Sequence, residues 1–87
     1  MWKNITSYSR GEDKTDVRTT QLLLDGLDIV VTKHIHFGDE LIMNCRNAGI
    51  DQKALGVTVM EEGQKKALNI VENRLKKMLY AIRQVRI

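Results

Sequence analysis

The chain has 87 residues and a formal charge of +3, with 43% hydrophobic and 29% charged residues, one cysteine and no proline. That length accommodates one domain, and the apolar content excludes intrinsic disorder, which needs low hydrophobicity together with high net charge. The lone Cys45 excludes an internal disulfide, the usual staple of small secreted domains. The opening residues Met1-Trp2-Lys3-Asn4-Ile5-Thr6 place no apolar run behind the lysine, so no signal peptide is expected. No apolar stretch approaches the ~20 residues that cross a bilayer. A cytoplasmic location without membrane contact is the expectation, by elimination.

In chain order, residues Trp2 to Ser9 are rich in Trp, Tyr, Ile and Thr and predict a first strand. The polar run Arg10 to Asp16 reads as a loop, and Val17 to Leu24 predicts a second strand. Asp25-Gly26 predicts a tight type I′ hairpin, because that turn needs positive φ and glycine adopts it without steric cost. Ile29 to Phe37 predicts a third strand, with Ile29, Val31, Lys33, Ile35 and Phe37 on one face. Leu41 to Arg46 predicts a fourth. If Gly38-Asp39-Glu40 is the turn between them, Phe37 pairs with Leu41, Ile35 with Met43 and Lys33 with Cys45. This register gathers the apolar residues of both strands on one face.

Residues 47–57 are expected to connect sheet and helix, with at most one helical turn from Asp51 to Leu55. Thr58-Val59-Met60-Glu61 matches a capping box, so a helix is expected across 58–87, weakened in its first turns by Gly63. Leu68, Val71, Leu75, Met78, Ile82 and Val85 recur at spacings of 3, 4, 3, 4 and 3, and Ala67 and Leu79 widen the stripe. Such a face packs on a core. About 26 helical residues span roughly 40 Å, whereas strands of seven or eight residues cover only about 25 Å. The last turns are therefore expected to project, leaving Leu79, Ile82 and Val85 for self-association as a homodimer.

Basic residues concentrate in the same segment. Val59 to Ile87 carries +4, against −1 for the first 58 residues. Lys65, Lys76 and Arg83 share one side of the helix, and Lys66 and Lys77 line the other flank, with Tyr80 between the two sides. A basic, partly aromatic stripe of this kind can follow a phosphate backbone, so Lys65, Lys76, Lys77 and Arg83 are candidate nucleic-acid contacts. A solvated helix face is the plainer interpretation.

No other pattern carries chemistry. His34 and His36 would point to the same face of a strand about 6–7 Å apart, as in some metal sites. A third ligand is not in place: Cys45 falls on the opposite face in the expected register, and Asp39 and Glu40 lie in the turn. No metal and no cofactor are expected. Cys45 alternates with apolar neighbours as a small hydrophobe would, and no nucleophile elbow or phosphate-binding loop occurs, so no catalytic residue is assigned. The sequence predicts an α+β domain: a four-stranded antiparallel meander over 1–46, a connection, and one long amphipathic helix packed on one sheet face. Its core is expected to hold Ile29, Val31, Ile35, Phe37, Leu41, Met43, Ala67, Leu68, Val71 and Leu75. Its role is expected to be non-catalytic, engaging another protein or a second copy, with nucleic acid as the alternative partner.

Overall fold

The computed structural model describes residues 1–13, 15–33 and 38–86. Strands β1 (Lys3–Asn4), β2 (Thr19–Leu24), β3 (Leu27–Lys33), β4 (Leu41–Cys45) and β5 (Ile50–Ala54) precede one helix, α1 (Met60–Val85). The strands lie side by side in chain order, each antiparallel to its neighbours. The expected antiparallel sheet with a C-terminal helix is present, but the sheet has five strands where four were expected.

The β2–β3 hairpin follows directly from its turn residues. Asp25 (φ 40°) and Gly26 (φ 85°) both take left-handed backbone, as a type I′ turn requires. Leu24 then pairs with Leu27, Leu22 with Ile29 and Thr20 with Val31, which puts Thr20, Leu22, Ile29 and Val31 on the helix-facing side.

Three expectations about the sheet are corrected. The first strand shrinks to two residues: Ile5 still donates its N–H to Thr19 O at 2.9 Å, and beyond it the Thr6 side chain takes over the contact with the chain entering β2. The Thr6 hydroxyl donates to Asn4 Oδ1 at 2.6 Å and accepts the backbone N–H groups of Arg18 and Thr19, each at 3.0 Å. The β3–β4 register is also different. Lys33 faces Leu41 and Val31 faces Met43, where Phe37 and Ile35 were expected to face them. The shift from the expected register is four residues, an even number, so the same side chains still face the core. Ile35 and Phe37, expected in that core, lie outside the described residues.

The third correction is β5, in a segment expected to be a connection. Its residues Asp51, Gln52, Lys53 and Ala54 are all exposed, so hydrophobic patterning gives no sign of a strand there. A 3₁₀ turn at Arg46–Ala48 ends on Gly49 (φ 69°) and reverses the chain, and Ile50 anchors the return opposite Cys45. Two residues of β5, Asp51 and Gln52, then stand against the single Asn44 of β4. Gln52 takes left-handed backbone (φ 46°) at this bulge, and its N–H donates to Asn44 Oδ1 at 2.7 Å.

The expected capping box does not form. Leu41 donates its N–H to Val57 O at 2.9 Å and accepts the Leu55 N–H at 3.0 Å, which holds the chain extended up to the helix. Helical geometry therefore starts at Met60, with Val59 at the cap position and no side-chain cap. Glu61 and Glu62 still sit in the first turn, where the helix dipole favours negative charge.

The helix meets the sheet through Gly63, Ala67 and Val71, its three buried residues, which recur every four positions. Gly63 is a contact, not only a weak point. A Cβ there would lie 2.6 Å from Leu41 Cδ1 and 3.3 Å from Val31 Cγ1. These small residues let the backbone lie close over β3 and β4, and they turn the wider stripe to one side. Leu68 and Leu75, expected in the core, are consequently 37% and 36% exposed. The core is completed instead by Leu22, Cys45, Ala48, Ile50 and Leu55, with Trp2, Leu27, Val57, Met60 and Ile70 packed against it.

Candidate functional site

Beyond Val71 the helix loses its support. Every residue from Glu72 to Arg86 is exposed, and the molecule extends over 60 × 24 × 18 Å. Fourteen residues of α1 from Glu72 onward correspond to about 21 Å of helix, so about a third of that length is the projecting half. Leu75, Met78, Leu79, Ile82 and Val85 continue the line of Ala67 and Val71 without interruption, yet Ile82 is 55% and Val85 81% exposed. The expected self-association residues Leu79, Ile82 and Val85 are thus together on one uncovered surface.

The expected nucleic-acid residues are not brought together. At about 100° per residue, Lys65, Lys76 and Arg83 lie on one flank of α1, and Lys77 lies roughly a third of a turn away on the flank that faces β5. Lys76 is tied to Glu72 at 3.2 Å, one of two ion pairs among the described residues. Lys77 instead lines an open cleft of about 250 Å³ with Lys53 of β5 and Ile70, Asn73 and Arg74 of α1. Three cations and an amide converge there and no carboxylate lines it. Lys53 could not be foreseen as a member, because only the unexpected β5 carries it to the helix. Tyr80, 66% exposed, stands about one turn beyond Lys77 and about 60° around the helix from it, between the two basic flanks.

The other polar groups serve the fold. The Glu12–Arg18 pair (2.7 Å) closes the loop that follows β1, with Arg18 over the Tyr8 ring at 5.6 Å. Hydrogen bonds from Ser9, assisted by the Arg18 charge, hold the Glu12 carboxyl below its ordinary pKa, and those from Thr15 do the same for Asp13. On the sheet face away from the helix, a hollow is lined by Asp28, Val30, Asn44, Arg46 and Asn47. Its two amide oxygens are already engaged, Asn44 with the Gln52 N–H and Asn47 with the Asp28 N–H at 2.9 Å. The free Cys45 thiol is fully buried within the core. Among the described residues, no group of three or more His, Cys, Asp or Glu could hold a metal, and His34 and His36 lie outside them. No helix there is long and apolar enough to cross a membrane.

No protein-family model matches the chain, and no curated protein or solved structure matches it.

Proposed function

We propose that this protein is a small, non-catalytic interaction module, of cytoplasmic setting, that pairs with a second copy of itself through the projecting half of α1. The observation that carries the reading is the uncovered continuation of the apolar stripe beyond Val71. Leu68, Leu75 and Ile82 repeat every seven residues, as do Val71, Met78 and Val85, which is the period of a helix that packs along another helix. Covering six half-exposed aliphatic side chains is worth about 1 kcal/mol each, and a dimer gains that twice. This is of the order needed to offset the loss of translational and rotational freedom on association.

Charge selects a second copy and its direction. Residues 72–86 carry one acidic and five basic side chains, so two copies side by side in parallel would stack like charges. Leu79 lies seven residues from both Glu72 and Arg86. Antiparallel pairing about Leu79 sets Glu72 of each copy beside the partner's Arg86 and packs the two leucines at the symmetry axis. The exposed Glu72–Lys76 pair is weak enough to yield to that arrangement.

Light scattering tests the reading. A dimer mass is expected at roughly tens of micromolar. Because each copy is basic, the dimer should strengthen as salt screens the repulsion. Ile82→Glu should return the monomer mass. A monomer mass at those concentrations that Ile82→Glu leaves unchanged would sink the reading.

A further inference from the structure

The cleft between β5 and α1 adjoins that pairing surface without sharing a residue with it. Ile70, Lys77 and Asn73 lie about 110–170° around the helix from the centre of the apolar stripe, and Arg74 about 70°, at the edge of the stripe. Arg74 and Lys77 approach from the helix and Lys53 from the edge strand, so their positive fields overlap in one concavity. The nearest acidic residues are engaged or turned elsewhere: Glu72 pairs with Lys76, and Asp51, exposed on β5, does not line the cleft. Such a concavity favours an anion with several oxygen acceptors. Arg74 offers a planar fork of donors, Lys53 and Lys77 compact charges, and Asn73 a neutral amide.

Two further features distinguish a strand from a free anion. Ile70 gives the cleft an apolar wall, which inorganic phosphate cannot use but a sugar or base can lie against. Tyr80 stands about 5 Å farther along the helix from Lys77, a single turn, with most of its ring surface open to solvent. An exposed ring beside a basic groove is a platform for an unstacked base. The bases of a duplex are already stacked and cannot offer their faces.

We propose that the cleft formed by Lys53, Asn73, Arg74 and Lys77 seats a backbone phosphate of single-stranded nucleic acid, with an adjacent base stacked on Tyr80. The projecting half of α1 then carries two surfaces, an apolar one for its copy and a basic one for a strand. The flank bearing Lys65, Lys76 and Arg83 contributes only diffuse attraction.

Fluorescence anisotropy of the full chain with labelled oligo-dT and oligo-U, at low and near-physiological salt, tests the assignment. Micromolar binding that weakens linearly in log salt is the expected result. Replacing Lys53 and Arg74 together by alanine should make the salt slope shallower by about 0.7, the share of the one phosphate the cleft seats. Tyr80→Ala should lower affinity at least about fivefold. Replacing Lys65 and Arg83 by alanine removes the same charge from the other flank and should change affinity less than about twofold, as a diffuse contribution should. All these side chains are exposed, so the variants keep the fold. No binding at low salt, tighter binding to duplex, or equal losses from the two charge-removing pairs would each overturn the proposal. Full displacement by millimolar inorganic phosphate, with no effect of Tyr80→Ala, would also overturn it and assign the cleft to a free anion.

Discussion

The two halves of α1 share one period and differ in the size of what they present. From Met60 to Val71 the residues turned to the sheet are Gly63, Ala67 and Val71, whereas from Glu72 to Val85 the same line carries Leu75, Met78, Ile82 and Val85. An apolar period reports only that a helix has a face to cover. Side-chain size along it reports how closely the covering surface approaches. Glycine and alanine belong where a backbone lies directly on a sheet, and leucine, methionine and isoleucine where they must reach across to another helix.

The largest expected effect separates the halves by stability. Ile29 is 1% exposed beneath the first half, and Ile29→Ala should cost about 2–5 kcal/mol. Ile82→Ala, measured by urea denaturation at concentrations too low for pairing, should cost under about 0.5 kcal/mol. Comparable losses from both would break the comparison, because the second half would then be covered within the monomer.

The next effect inverts the usual helix preference. Gly63→Ala gains about 1 kcal/mol of helix propensity, but the new methyl meets Leu41, which is fully buried and has little room to yield. A net loss of about 1–2 kcal/mol is expected from overpacking. Ala81→Gly, in the free half, should cost about 1 kcal/mol from propensity alone. Thermal melts of the two variants would show whether helix preference is overruled only where the sheet lies beneath.

The smallest effect tests the direction of pairing. Arg86→Glu would set like charges together in the proposed antiparallel dimer and should weaken it by about 0.2–1 kcal/mol. Adding Glu72→Arg should restore the affinity, read by sedimentation across a concentration series. Failure of that rescue would exclude the antiparallel arrangement and keep only the shared apolar surface.

How far this molecule was legible from its sequence depended on whether the deciding interaction was local. The Asp25-Gly26 turn, the helix and its projection follow from neighbouring residues and from length. The β3–β4 register does not, because pairing Leu41 with Lys33 or with Phe37 turns the same face of each strand to the core. Leu68 and Leu75 were expected inside because the stripe includes them, but the close approach at Gly63 decides which side of the stripe is covered. β5 was hidden because an edge strand with four exposed residues lacks the alternation that marks a half-buried one. With β5 went the cleft, since Lys53 meets Arg74 and Lys77 only through that strand. Lys65, Lys76 and Arg83 were grouped by helical angle alone, which says nothing of what the rest of the fold sets beside them.

The bulge in β5 has a consequence for how large an assembly can grow. An open sheet edge offers a row of backbone donors and acceptors to any extended chain, and stacking along such edges has no natural end. At Gln52 the left-handed backbone breaks that row, and the exposed Asp51 and Lys53 put a charge on either side of the break. An incoming strand would find neither a continuous ladder nor a dry surface. The antiparallel helix pairing proposed above would, by contrast, use up its own surface, so that an assembly built on it would close at two chains and not run on into a fibre.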